Sequence, residues 1–326
     1  MFIRACGIGW ALLGLVISAQ AASGWQADDF KPPEDIAFRK ATIVSEGTRM
    51  AAEVYAPAKP ASEKLPTIVM AHGWGGVAAN LRPDAVAFAR AGYLVVIFDY
   101  RGWGASDSRV VLTARQPPHT KDQKFSAEVF EVREVVDPID QTTDLANAVS
   151  WVHGEPQCDQ EKIGLWGSSY SGGHVIYVAA RDPRVKATVS QVPALDSRPM
   201  VTIGPERDKT FAEATARTHG DLGYPPPGAR VIGNLRGAPL REKLMQYAPV
   251  DEVARAEQCA TLFVLAENEE LFDNREHGIL AHERARGPKK LVVIPKITHY
   301  GVYLQARKQA QQLAIDWYDE HLKNKP

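Results

Sequence analysis

KIGLWGSSYSGG, residues 162–173, is the stretch on which the fold turns. A short apolar strand stops at Gly167, three serines crowd the next four positions, and Gly172 and Gly173 lead into the helical pattern HVIYVAARD. Strand, tight turn and helix, in that order, present one side chain at the tip of a strand and at the start of a helix, the setting of a nucleophile elbow. Ser169 holds that place and is read as the nucleophile. The usual spacing has a glycine two residues after the nucleophile, where Ser171 stands instead and is small enough for close helix approach. A second frame makes Ser171 the nucleophile with Gly173 two later, but it puts Ser169 where a glycine is expected and lengthens the turn.

Outward from this turn, buried strands recur: TIVMA (67–71), YLVVIFD (93–99), KATVSQV (186–192), TLFVLA (261–266) and KLVVIP (290–295). Continuous apolar strands alternating with helical patterns predict a mostly parallel sheet covered on both faces. The helices are expected over 81–91, 138–153, 174–180, 274–286 and 305–321, the last with Ala306, Gln309, Leu313 and Trp317 on one stripe. Before the parallel strands, residues 36–56 read as two alternating segments joined by Ser45, Glu46 and Gly47, an antiparallel hairpin at a sheet edge. Two stretches break the alternation. Residues 106–136 read as a long polar loop with a helix, and residues 194–259, with the PPPG turn at 225–228, as a short lid over the carboxyl ends of the strands.

A serine hydroxyl needs a base to take its proton and donors to hold the oxyanion it creates. His72-Gly73-Trp74-Gly75-Gly76 follows the strand TIVMA, and its glycines let a backbone N–H face a substrate oxygen. The oxyanion hole is assigned to the backbone N–H groups of Trp74 and Tyr170. His299 lies after the last strand and before the last helix, placed to act as base. The acid that orients it must follow TLFVLA, where Glu267, Glu269 and Glu270 are available; Glu269 is favoured, with Glu270 and Glu267 behind it and Asp273 a remote fourth. His72 reads as a structural residue behind the oxyanion loop, and Asp99, Arg101 and Trp103 as residues that fix a turn. Trp103, Tyr224 and the PPPG turn also suggest an apolar, partly aromatic mouth.

Taken in order, HGWGG, Asp99-Tyr100-Arg101-Gly102-Trp103-Gly104 with Ser106, GSSYSGG, AENEELFD and THYG resemble the α/β-hydrolase superfamily over almost the whole chain. The elbow and the Thr-His-Tyr run resemble its X-Pro dipeptidyl-peptidase-like and dienelactone-hydrolase-like branch. That resemblance implies acyl or amide hydrolysis without a cofactor, on a mostly parallel eight-stranded sheet. Ester cleavage is preferred because the lid is short and no separate peptide-binding domain is visible; a peptidase or amidase, or a non-catalytic binding module on the same fold, are the alternatives.

The 326 residues carry a formal net charge of -1, and no Lys/Arg run appears, which argues against nucleic acid as a partner; the resemblance implies a small-molecule ester or amide substrate. His277 and His282 are five apart, not the four that puts two ligands on one helical face, so no metal is expected. Residues 1–21 place Arg4 ahead of an apolar run and end in Ala19-Gln20-Ala21, the pattern of a cleavable signal peptide. Export to the periplasm or beyond is therefore expected, with a mature domain from residue 22 and no membrane span in it. Cys158 and Cys259 then meet an oxidising compartment, free to pair or to remain thiols, although their strands are not neighbours in the expected sheet.

Overall fold

A computed structural model describes residues 30–118, 122–232 and 235–323, so the expected signal peptide lies outside the described residues. Eight strands form the central sheet: β1 (Ile36–Ser45), β2 (Thr48–Pro57), β3 (Leu65–Ala71), β4 (Leu94–Phe98), β5 (Cys158–Ser168), β6 (Val185–Gln191), β7 (Ala260–Ala266) and β8 (Lys289–Ile294). Their spatial order is β1-β2-β4-β3-β5-β6-β7-β8. The β1–β2 hairpin is antiparallel and β2 runs antiparallel to β4, while every pairing from β4 to β8 is parallel.

Alternate residues of each central strand face opposite layers, as the two-residue period of a strand requires. Val69, Ala71 and Leu165 join the core cluster formed with α2 (Pro138–His153) and α3 (Tyr170–Ala179). Trp166 points the other way, toward Phe88 of α1 (Arg82–Arg90), whose ring meets Tyr318 of the last helix, α6 (Arg307–Tyr318). Burial on both faces explains why these strands read as unbroken apolar runs. Asp137 caps α2, its side chain accepting from the backbone N–H groups of Ile139 and Asp140, with Pro138 at the first helical position.

Several local expectations change. Residues 106–136 hold no helix among the described residues; Arg109–Leu112 pairs antiparallel with Val129–Val132, which suits their β-branched content. α3 begins at Tyr170, since the elbow itself starts the helix. The helix expected over 274–286 shortens to α5 (Gly278–Arg284), because Asn274 turns its side-chain amide back to the Ala266 carbonyl. On α6 the buried stripe is Ala310, Ala314, Trp317 and Tyr318, and Gln309 is exposed. Between β6 and β7, α4 (Pro205–His219) buries only Thr210 and exposes Phe211. Cys158 and Cys259 are separate buried thiols, one sheet position too far apart to pair because β6 stands between their strands.

Candidate active site

The loops after β3, β5, β7 and β8 all leave the carboxyl edge of the parallel sheet, which gathers four distant segments of sequence into one region. Ser169 caps α3 with φ 60° and ψ −122°, a backbone state that costs about 1–3 kcal/mol for a residue with a side chain. Its N–H donates to the Gln191 carbonyl (2.8 Å) and its carbonyl accepts from Gly172 (3.0 Å) and Ala194 (3.1 Å), and these bonds hold the strained turn. Gly167 makes the turn possible: a Cβ there would lie 2.1 Å from the Ser171 carbonyl oxygen. Gly73 lets the loop after β3 approach, since a Cβ on it would stand 2.8 Å from the Ser168 carbonyl and 3.1 Å from the Ser169 Cβ.

Ser171 has a different occupation. It is fully buried, and its hydroxyl contacts the carbonyls of Ala71 (2.7 Å) and Ser168 (2.9 Å) while accepting from the Ser168 N–H (2.9 Å). It staples the end of β3 to the elbow, which is what a serine supplies at a position where a glycine is common. Ser169 is half-buried.

The three glutamates after β7 separate cleanly. Glu269 reaches the imidazole, with Oε2 2.9 Å and Oε1 3.0 Å from His299 Nδ1, and both side chains are only 2% exposed. Glu270 accepts instead from the His299 backbone N–H (2.6 Å), and Glu267 from the Lys296 backbone N–H (2.7 Å). Asp273 is exposed and paired with Arg275, which pulls its carboxyl down to about 2. A carboxylate on Nδ1 fixes the tautomer that leaves Nε2 free to take a proton.

Trp74 and Tyr170 meet through their rings, 5.1 Å apart, and the Trp74 indole donates to the Gly237 carbonyl (3.0 Å). Among the described residues neither backbone N–H donates to a protein acceptor, as expected for a glycine-rich turn and the first residue of a helix. His72 lies behind this loop, its Nδ1 3.1 Å from the Gly73 carbonyl oxygen, and burial holds it below the usual imidazole range. Asp99 accepts from the N–H groups of Ala78 (2.7 Å) and Ala105 (2.9 Å), tying the turn after β4 to the segment that follows β3. Arg101 forms a buried pair with Asp144 (2.5 Å). Trp103 is buried at 1% exposure with its indole on the Val135 carbonyl, so it braces the core rather than lining a mouth.

Three residues join this region that no spacing announces. Gln191 Nε2 donates to Ser168 Oγ (3.0 Å), and Ser168 Oγ shares a 2.7 Å hydrogen bond with the Tyr303 hydroxyl. A recess of about 440 Å³ opens at the acid loop, lined by Glu267, Glu269, Leu271, Phe272 and Asn274 among others. A larger groove of about 660 Å³ runs along Thr143, Asn147, Tyr177 and Arg181, and none of the site residues lines it. Among the described residues no group of three or more His, Cys, Asp or Glu side chains is placed to hold a metal ion, and no helix is long and apolar enough to cross a membrane.

Strand order, elbow and loop placement define an α/β-hydrolase fold. The model for X-Pro dipeptidyl-peptidase (S15 family) matches residues 46–202, and that for the BAAT / acyl-CoA thioester hydrolase C terminal matches residues 145–300. An uncharacterized 31.7 kDa protein of the traX-finO intergenic region of Escherichia coli is 26% identical over 79% of this chain and 92% of its own length. Thiohydrolase aneE of Aspergillus aculeatus is 30% identical over 54% of this chain and 50% of its own. The crystal structure of hypothetical protein PA2218 from Pseudomonas aeruginosa, 21% identical, superposes with a TM-score of 0.73 over 93% of this chain and 99% of that one. The chain belongs to the α/β-hydrolase superfamily, and the two family models that match it, over residues 46–202 and 145–300, are both those of hydrolases.

Proposed function

We propose that the protein is a serine hydrolase that cleaves carboxylic esters through a Ser169–His299–Glu269 triad. The observation that carries this reading is the buried Glu269 carboxylate on His299 Nδ1, on the same sheet edge as a strained serine turn. Ser169 Oγ attacks the ester carbonyl as His299 Nε2 takes its proton. The N–H groups of Trp74 and Tyr170 hold the oxyanion. Collapse of the tetrahedral intermediate breaks the ester C–O bond; the alcohol takes the proton from His299 and departs, and the acyl group stays on Ser169 Oγ. Water, deprotonated by the same imidazole, then attacks the acyl-enzyme and the acid departs with Ser169 restored.

Thioesters are a second reading, favoured because the thioester-hydrolase family match spans Ser169, Glu269 and His299 together. The peptidase match ends at residue 202, before acid and histidine, and gives amide cleavage less support. The Ser169→Ala variant should lose turnover of a short p-nitrophenyl ester with its melting temperature nearly unchanged; undiminished turnover overturns the assignment. A panel of acyl esters, acyl thioesters and X-Pro amides on purified protein ranks the substrate classes. We also propose that residues 1–21 direct export and are removed. N-terminal sequencing of the protein recovered from the periplasm should then start near Ala22, and an intact Met1 there overturns export with cleavage.

A further inference from the structure

The residue before Ser169 is a buried serine whose hydroxyl is taken up by two other side chains. Ser168 is 2% exposed, and its Oγ receives the Gln191 side-chain amide at 3.0 Å and shares a 2.7 Å hydrogen bond with Tyr303. Tyr303 closes the short 3₁₀ turn His299–Tyr303 that begins with the histidine itself, and the two rings stand 6.2 Å apart. The same turn is held at its start by Glu270 on the His299 N–H and by Glu269 on the imidazole. Those two contacts tie the histidine to the acid loop after β7. Only the Tyr303–Ser168 bond, among the hydrogen bonds described, ties the histidine turn to the strand that carries the nucleophile.

From this we infer that Tyr303, through Ser168, is a positioning residue that sets the separation of the His299 imidazole from Ser169. This rests on the triad reading above. The loop between β8 and α6 is irregular, with Lys296 at φ 60° and Leu304 exposed, so the sheet alone does not fix where its histidine sits. A hydroxyl-to-hydroxyl tie, itself oriented by Gln191, supplies the missing constraint. Gln191 belongs to the same frame through its backbone, whose carbonyl accepts from the Ser169 N–H at 2.8 Å. The chain Tyr303–Ser168–Gln191 therefore references the base to the residue adjoining the nucleophile and to the next strand at once.

Tyr303→Phe removes one hydroxyl and keeps the ring. With Ser169 sites titrated by a fluorophosphonate, kcat per site for a p-nitrophenyl ester should fall roughly tenfold to a hundredfold, the range expected when a base drifts from its nucleophile by a fraction of an ångström to an ångström. KM should stay within about twofold, since no substrate contact is lost. Ser168→Ala should produce the same split, and the double variant should be no slower than the slower single one, because both cut one link. A merely structural bond lowers the melting temperature and leaves kcat per titrated site unchanged; that result overturns the inference, as does simple multiplication of the two defects. Peptide mapping of the adduct keeps the two levels apart: label on Ser169 with normal Tyr303→Phe kinetics defeats only the positioning role, whereas label on another residue defeats the triad reading and this inference with it.

Discussion

Glu267, Glu269 and Glu270 leave β7 within four residues of one another, and each carboxylate meets a different donor: the Lys296 N–H, the His299 imidazole and the His299 N–H. Composition cannot rank them, because all three are glutamates on one loop. What separates them is the path of the partner loop, which turns through Lys296 at φ 60° and brings two backbone N–H groups and one ring to three neighbouring carboxylates. Isosteric neutral replacements should therefore part company. Glu269→Gln should lower kcat about 10³- to 10⁴-fold, since the amide permits the wrong tautomer and no longer stabilises an imidazolium. Glu270→Gln keeps an acceptor for the His299 N–H and should cost about 1 kcal/mol of stability with kcat reduced less than about tenfold. Steady-state kinetics and urea melts on the two variants check this, and equal losses of kcat would remove the distinction between them.

At the scale of elements, β3 and β5 are joined at their tips by the Ser171 hydroxyl, which bridges Ala71 and Ser168 from inside the core. Ser171→Ala leaves those buried backbone groups without their partner and should destabilise by about 1–3 kcal/mol while the folded protein still labels with a fluorophosphonate. Complete loss of labelling in a variant that melts cooperatively would return the nucleophile to position 171. The strands and the elbow were legible because their signals are local: apolar runs bounded by glycines, and a serine between a strand and a helix. The hairpin β1–β2 was legible for the same reason, its alternation and its Glu46-Gly47 turn lying within a few residues. The ribbon Arg109–Leu112/Val129–Val132 was not, because its partners are separated by a polar stretch with no turn signal that names the register. Nor was the Gln191–Ser168–Tyr303 chain, whose members lie on β6, on β5 and after β8 and meet only once the sheet order is known. Trp103 carried two readings, a residue that fixes a turn and part of an aromatic mouth, and the mouth is the one that fails. A tryptophan beside glycines suggests a mouth, but here a Val135 carbonyl and the tight approach of Gly237 enclose it.

Across the whole molecule, buried imidazoles make the fold sensitive to acid. His174, on the elbow helix α3, is fully buried among Tyr100, Tyr170 and Tyr247, with Nδ1 2.5 Å from the Tyr247 hydroxyl and Nε2 3.2 Å from Gln141 Oε1. Desolvation, aided by nearby His72, pulls it from 6.5 down to about 3. The unfolded chain therefore binds a proton that the native state refuses. The stability His174 confers is complete above pH 6.5 and drains away as pH falls from there toward about 3. Between pH 7.5 and 5.5 one such group removes about 1.4 kcal/mol. Asp144 works against this: burial raises its carboxyl to about 6 in spite of Arg101, so its protonation favours the native state as pH falls below that value. Total stability thus mixes opposing contributions, and only a comparison that removes one group isolates it. His174→Gln keeps a polar side chain against Tyr247 and Gln141 but cannot titrate. Urea denaturation of both proteins at pH 7.5 and 5.5 should show the wild type losing about 1.4 kcal/mol more than the variant over that interval. Parallel losses would mean that His174 accepts its proton in the native state, and that the aromatic cage beneath the elbow admits water and charge.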